Sequence, residues 1–282
     1  MKTIQTIKEV RKQVKKWRKK GLTVGMVPTM GFLHEGHESL IKKAAKENDR
    51  VIVSIFINPT QFGPTEDFAA YPRDFIKDKK LCKEAGADLI FNPEASEIYF
   101  EDSSTSVNVL GLSEGLCGAK RPVHFGGVCL VVSKLFNIAT PDKAYFGEKD
   151  AQQLAVIKRM VRDLNFDVKI IGCPIIRELD GLAKSSRNTY LSVEERKAAL
   201  VLNKSLKLAK KAIDSGENCS EKIFQIIKNE IETETLAKID YIEIVNSDTL
   251  KSINTIASPS LIAIAVYIGK TRLIDNFTLE VK

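Results

Sequence analysis

Histidine occurs only three times in this chain, and two of the three stand together in Met30-Gly31-Phe32-Leu33-His34-Glu35-Gly36-His37. Two imidazoles three residues apart share one face of a helix's first turn. From there they can donate to anionic oxygens, and a neutral pair leaves no fixed charge behind. Gly36 between them has no side chain to keep a ligand off the backbone. The pair has two plainer readings, a metal chelate and a simple surface turn. His124 is the only other histidine, and neither C-x-x-C nor H-E-x-x-H accompanies the pair, so a metal would be short of ligands.

Three more polar clusters have complementary chemistry: Asn58 with Gln61, Lys149-Asp150 with Gln153, and Lys184-Ser185-Ser186-Arg187. Lys149, Lys184 and Arg187 are permanent cations, the serines are donors, and Asp150 can accept from a ribose hydroxyl. The amides of Gln61 and Gln153 both donate and accept, which suits a substrate bearing hydroxyls and a carboxylate. Taken alone, Lys-Ser-Ser-Arg is as readily a solvated loop, and Gly147-Glu148-Lys149-Asp150 a turn before a helix. Together the four clusters suit a polyanion, and a triphosphate is the obvious one. The chain has no G-x-x-x-x-G-K-[ST], no G-x-G-x-x-G and no nucleophile elbow, which excludes a P-loop, a dinucleotide fingerprint and a serine hydrolase of that type.

The elements that must position these clusters follow from apolar runs. A strand from Leu22 to Val27 ends at Pro28 and leads into the histidine turn, after which Glu38 to Asn48 has helix-forming composition. That layout presents free N–H groups and the positive end of a helix dipole to an anion. Further strands are expected at Val51–Ile57, Ala87–Phe91, Lys143–Phe146 and Val168–Ile171, the last extended by Ile175-Ile176-Arg177. Helices are expected around Ile4–Trp17, Tyr71–Ala85, Val123–Ala139 and Ala151–Asp163, with an edge strand at Val107–Leu110. Strands alternating with helices imply a doubly wound α/β fold with a parallel sheet. In such a sheet the carboxyl ends of the strands share one edge, so the four clusters converge on one cleft. The polar segment Glu178–Asn188 reads as a mobile loop and a boundary, dividing 1–178 from 179–282. Beyond it, helices at Val193–Ser215 and Glu221–Glu234 and strands at Tyr241–Val245, Ala263–Ile268 and Arg272–Ile274 indicate a smaller α+β domain.

Bulk properties narrow the partners. The 43 Lys and Arg against 36 Asp and Glu leave a net charge of +7, which favours anionic partners. No arginine-rich tract or aromatic-interleaved basic stripe supports general nucleic-acid binding. The five scattered cysteines point to reduced thiols in a cytoplasm. No apolar signal core is visible and no apolar run is long enough to span a bilayer, so no membrane partner is expected. The basic face of the first helix is best explained as solvated.

With Pro28-Thr29-Met30-Gly31, His34-Glu35-Gly36-His37, Asn58-Pro59-Thr60-Gln61-Phe62, Tyr71-Pro72-Arg73, Phe146-Gly147-Glu148-Lys149-Asp150, Gln152-Gln153 and Asp180-Gly181-Leu182-Ala183 followed by Ser185-Ser186-Arg187-Asn188, the chain resembles the pantothenate synthetase (pantoate–β-alanine ligase) family through nearly its whole length. The resemblance implies a Rossmann-like fold of the H-x-G-H nucleotidylyltransferase type, akin to class I synthetases. It implies that ATP and (R)-pantoate give pantoyl adenylate and pyrophosphate, and that β-alanine then displaces AMP. Carried over, catalysis falls to His37, His34, Lys149 and Arg187. ATP binding falls to Met30, Gly31, Phe32, Leu33, His34, Glu35, Gly36, His37, to Gly147, Glu148, Lys149, Asp150 and Ile176, and to Lys184, Ser185, Ser186 and Arg187. Pantoate falls to Gln61, Gln153, Asn58 and Met30, and β-alanine to Gln61. Mg²⁺ (with ligands unassigned) and a homodimer are implied as well. Lys184 stands where such enzymes usually have Met, and Val123 where Gly is usual. The rival readings are a nucleotidylyltransferase acting on a phosphorylated acceptor, which has less use for two glutamines, and a nucleic-acid-binding module. The roughly 100 residues after the boundary leave little room for tRNA recognition.

Overall fold

The computed structural model describes residues 1–64, 66–257 and 259–279. Its first part runs β1 (Lys2–Ile4), α1 (Ile7–Arg18), β2 (Val24–Thr29), α2 (Glu35–Glu47), β3 (Arg50–Ile55), α3 (Phe75–Glu84), β4 (Leu89–Phe91), α4 (Ala95–Ile98), α5 (Leu116–Lys120), α6 (His124–Ala139), β5 (Lys143–Gly147), α7 (Ala151–Asp163) and β6 (Lys169–Cys173). These six strands form one sheet in the order β1-β4-β3-β2-β5-β6 with every pairing parallel. Alternate side chains serve opposite faces of such a strand. Met26 and Ile52 pack with Val10, Val14 and Trp17 of α1 and the apolar side of α6, whereas Val27 and Val53 pack with Leu40, Ile41 and Ala44 of α2. Both faces are therefore covered, as the uninterrupted apolar strands require.

The order decides where a ligand can sit. From β2 the chain builds outward through β3 and β4, then returns to the other side of β2 for β5 and β6. The switch point lies between β2 and β5, and a crevice opens beyond their carboxyl ends. The histidine turn follows β2 and Gly147–Asp150 follows β5, so the two border that crevice directly.

The remainder contains α8 (Val193–Ala198), α9 (Leu200–Asp214), α10 (Ser220–Ile231), β7 (Ala237–Asn246), β8 (Ser260–Ile268) and β9 (Thr271–Leu279), the strands forming an antiparallel sheet. Its own core sets Leu202, Leu206, Ile223 and Ile227 against Ile244, Ile262, Ile264 and Val266. Buried Asp275 of β9 accepts two hydrogen bonds from Arg177 at 2.6 and 2.9 Å. Next to it, Asn276 Nδ2 donates to the carbonyls of Glu148 and Lys149 at 3.1 and 2.8 Å, so the second sheet braces the turn after β5.

Four expectations fail locally. Val107–Leu110 is not a strand; Val109 and Leu112 reach the core from irregular backbone, since burying a side chain needs no strand pairing. The edge is supplied instead by Lys2–Ile4, because Thr6 caps α1 and starts that helix at Ile7. Ile175–Arg177 does not extend β6, which stops before Pro174, a residue with no N–H for the ladder. Arg177 instead bridges Ala183. The helix expected over Val193–Ser215 breaks at Ala199 into α8 and α9.

Candidate active site

His34 is the N-cap of α2, and its Nδ1 accepts from the Gly36 N–H at 3.1 Å. The His34 N–H in turn donates to His37 Nδ1 at 3.3 Å. With both Nδ1 atoms accepting, each neutral ring carries its proton on Nε2. The ring centroids lie 4.2 Å apart. Burial, followed by the charge of Lys149, lowers the His34 pKa to about 4. Burial, followed by proximity to His34, lowers His37 to about 3. At neutral pH the pair is two uncharged N–H donors. Gly36 is required here because a Cβ would stand 2.8 Å from His34 Cε1.

Beneath this turn is Asp78, a buried carboxylate on α3. It accepts from the N–H groups of Phe32 at 2.8 Å and Leu33 at 2.6 Å. Gly31 and Phe32 are both left-handed, with φ of +84° and +51°, a path that Phe32 can hold only with such an anchor. Burial raises the Asp78 pKa against those two hydrogen bonds.

The 3₁₀ turn Pro59–Gln61 follows β3 and presses on α6 so closely that a Cβ at Gly127 would collide with the Thr60 carbonyl and stand 2.6 Å from the Gln61 nitrogen. Asn58 is buried and fully engaged. Its Nδ2 donates to Gln61 Oε1 and the Gly127 carbonyl, both at 3.1 Å, and its Oδ1 accepts from Tyr99 and Thr60. Asn58 thus orients Gln61, whose Nε2 is directed to Met30 Sδ at 3.1 Å. His124 adds a third support. Its Nδ1, 3.0 Å from the Gln61 carbonyl, must carry the proton, and burial lowers its pKa to about 4. The Gln153 side chain on α7 makes no hydrogen bond among the described residues, whereas its neighbour Gln152 is a buried strut holding the Leu112, Gly115 and Cys117 backbone.

The cations are already partnered within the protein. Arg187 lies along Asp67 with contacts of 3.0 and 3.2 Å, Lys184 Nζ is 2.9 Å from Glu35 and 3.3 Å from Glu178, and Lys149 Nζ is 4.0 Å from Asp150. Burial works to lower the Lys184 pKa, but the two carboxylates prevail and raise it. Ser186 Oγ donates to the Phe32 carbonyl at 3.3 Å, tying this loop to the histidine turn.

A cavity of about 240 Å³ at the switch point is bordered by Met30, His34, Gly36, His37, Asn58, Gln61, Gly147, Lys149, Asp150, Gln153, Ile176 and Lys184–Arg187. Five expected ligands do not border it. Gly31 and Leu33 are buried in the turn, Phe32 lies under Lys77, Glu35 faces Lys184, and Glu148 lies over Gly172. The apolar wall from Val128 to Leu135 of α6 was missed, as was Asp78. Asp78 had a signal, since with Cys82 and Ala85 it falls on the apolar face of its helix. A second cavity, about 670 Å³, lies between α5–α7 and the antiparallel sheet and shares Arg121, His124, Lys149, Asp150, Gln153, Ser185 and Arg187 with the first. Among the described residues no group of three His, Cys, Asp or Glu side chains could hold a metal ion.

A doubly wound sheet with neutral histidine donors, two amides and a cationic loop around its switch point defines an α/β enzyme of the H-x-G-H class. The family model described as Pantoate-beta-alanine ligase matches residues 2–278. Pantothenate synthetase of Enterococcus faecalis is 65% identical over 278 residues, covering 99% of each chain, and that of Clostridioides difficile is 66% identical over 277, covering 98% of each. The crystal structure of pantothenate synthetase from Thermus thermophilus superposes with a TM-score of 0.94 at 42% identity, covering 100% of both chains. Pantoate-beta-alanine ligase from Francisella tularensis, complexed with beta-gamma ATP and beta-alanine, superposes at 0.80 with 37% identity, covering 99% of this chain and 97% of that one. The chain belongs to the pantoate–β-alanine ligase family.

Proposed function

We propose that this ATP-dependent pantoate–β-alanine ligase works through pantoyl adenylate formed in the 240 Å³ cavity. A pantoate carboxylate oxygen attacks the α-phosphorus of ATP, and the bond to the β-phosphate oxygen breaks to release pyrophosphate. The β-alanine amine then attacks the acyl carbon, loses a proton, and AMP leaves. No bond to the protein is needed, so catalysis is positioning and electrostatic stabilisation.

His34 and His37 offer their Nε2–H groups to the phosphates, with Lys149, Ser185, Ser186 and Arg187 opposite. Gly147 and Asp150 take the nucleoside. Ile176 offers its N–H to the adenine, since its carbonyl already accepts from the Lys184 N–H at 2.9 Å. Gln61 and Gln153 hold pantoate beside Met30, and Gln61 lies near the β-alanine site. Asn58, with all its hydrogen bonds in use, positions Gln61 and does not touch substrate. Among the described residues no acidic cluster forms a protein site for Mg²⁺, so an ion would be held chiefly through the substrate's phosphate oxygens, where it would supply charge neutralisation for the departing pyrophosphate.

This reading also treats 1–178 as the ATP- and pantoate-binding unit and 179–282 as a lid, each with a main core of its own and a small shared cluster of Leu116 with Val245, Leu261 and Ala263 between them. It places a homodimer in a cytoplasm. The five free cysteines agree with that, and no helix among the described residues is long and apolar enough to cross a membrane.

The observation that carries the proposal is that Gln61 and Gln153 border the same cavity as the two neutral imidazoles. The test is pantoate-dependent exchange of pyrophosphate into ATP, followed by AMP release when β-alanine is added. Exchange with a mononucleotide acceptor and none with pantoate would establish the nucleotidylyltransferase reading instead.

A further inference from the structure

Lys184 is the one cation of the cleft loop that the reaction scheme leaves without a task. It lies on the return limb of a tight hairpin. Its N–H donates to the Ile176 carbonyl at 2.9 Å, Arg177 bridges Ala183, and the Glu178 N–H donates to the Leu182 carbonyl at 2.8 Å. From there the side chain crosses to the histidine turn. It meets Glu35, the residue between His34 and Gly36, at 2.9 Å and Glu178 of its own hairpin at 3.3 Å. Glu178 is held in turn by Asn188 Nδ2 at 3.3 Å and by Arg196 of α8 at 3.9 Å. A single ammonium with a carboxylate on each side has little charge to spare for a third anion. A phosphate oxygen at Nζ would also have to displace Glu35 while lying beside Glu178.

We propose that Lys184 is a positioning residue, a latch that ties the Ser185–Arg187 loop to the histidine turn, and not a ligand of the triphosphate. Closing this latch keeps the loop over the nucleotide between its arrival and the loss of AMP. Ser186 makes the second tie, through the Phe32 carbonyl, and Lys184 supplies the tie that answers to charge. The inference rests on the cavity being the nucleotide site.

A latch and a phosphate ligand differ in sign for one substitution. If Lys184 is a latch, Glu35→Gln and Lys184→Met both break the same link. Each should speed dissociation of β,γ-methylene ATP roughly two- to fivefold, the scale of a partly exposed ion pair. The double variant should then be no worse than Lys184→Met alone, which also releases Glu178. If Lys184 binds phosphate, Glu35→Gln removes a competing anion and tightens the nucleotide, and the two effects add. Tighter binding by Glu35→Gln, additive effects, or no change in either variant overturns the latch. A second measurement needs no nucleotide. Chymotrypsin should cut after fully exposed Leu179 at the hairpin tip faster in both singles, and Lys184→Arg, which keeps a cation between Glu35 and Glu178, should keep the resistance. Unchanged cleavage in the singles counts against the proposal. Pantoate-dependent exchange by the unmodified enzyme is run alongside. Its absence would sink the ligation scheme without touching the proteolysis result.

Discussion

His37→Gln set against His37→Ala tests the chemical role assigned to the histidine turn. Because His37 Nδ1 accepts the His34 N–H, its Nε2 faces the cavity as a neutral donor, with a pKa lowered to about 3. Removing one preset donor from a site where charge develops costs roughly 10²–10³ in rate. His37→Ala should therefore slow adenylate formation by roughly that factor. It also deprives the His34 N–H of its acceptor, a helix-capping loss of about 0.5–2 kcal/mol that falls on stability. Glutamine carries an N–H at a reach similar to Nε2 and never titrates, so His37→Gln should recover at least a factor of about ten of the alanine loss. The assay is single-turnover formation of pantoyl adenylate by rapid quench, with both substrates saturating, from pH 5 to pH 8. No ionisation of His34 or His37 falls in that window, so the difference between wild type and His37→Gln should not vary with pH. A glutamine variant as slow as alanine, with a wild-type profile governed by an ionisation near pH 6.5 that both variants lose, would mean that imidazolium does the work.

Three further outcomes are expected. Gln153→Ala should raise KM for pantoate more than KM for ATP in the exchange assay, and equal effects would count against its assignment. Gly127→Ala should destabilise the protein by at least about 1–3 kcal/mol in urea melts, because its Cβ meets the backbone of Thr60 and Gln61 and no flexible side chain can yield. By shifting Gln61 it should also raise KM for pantoate, and a variant with normal stability and KM would refute that packing. The third concerns pH. His34, His37 and His124 have folded pKa values of about 4, 3 and 4, below the unfolded 6.5, so their contribution to stability is complete above pH 6.5. It is lost as pH falls toward 4, at about 1–2 kcal/mol per histidine by pH 5. His37→Gln should flatten that slope when urea midpoints are compared at pH 7.5 and 5.5, and an unchanged slope would show that His37 is not buried neutral.

Much of this site could be read in the amino-acid order because its chemistry lies directly after strands. An apolar run that stops at Pro28, Ile57 or Phe146 shows where the sheet ends, and the polar residues that follow must sit at its carboxyl edge. What could not be read depends on distant partners. The tautomer of His124 is set by the Gln61 carbonyl, 63 residues away in the chain. The engagement of Asn58 by Gly127 and Tyr99 spans 69 and 41 residues, so from sequence it looks like a free amide. Periodicity also fails for β1, whose three residues are too few to show an alternation and whose Ile4 matches the helical spacing of Ile7 and Val14. Leu33 and Glu35 share a motif with the histidines, but only the fold separates residues that face the cavity from those that shape the turn.

The electrostatic pattern follows from one constraint. A cleft built for a tetra-anion must attract it and must also let pyrophosphate and AMP leave. Unpaired cations would satisfy the first demand and defeat the second, while repelling one another across a low-dielectric cavity. Here Arg187, Lys184 and Lys149 each have a carboxylate within 4.0 Å, and the donors nearest the turn are neutral imidazoles. A phosphate oxygen arriving at Arg187 therefore competes with Asp67 and gains only the difference between the two pairings. On the proposed scheme, hydrogen bonds from His34 and His37 to phosphate would carry no such offset, because no group on the protein accepts from their Nε2 atoms. On this account tight holding of the substrate is traded for selectivity toward the moment when charge shifts between phosphates, which is when fixed donors act on the rate.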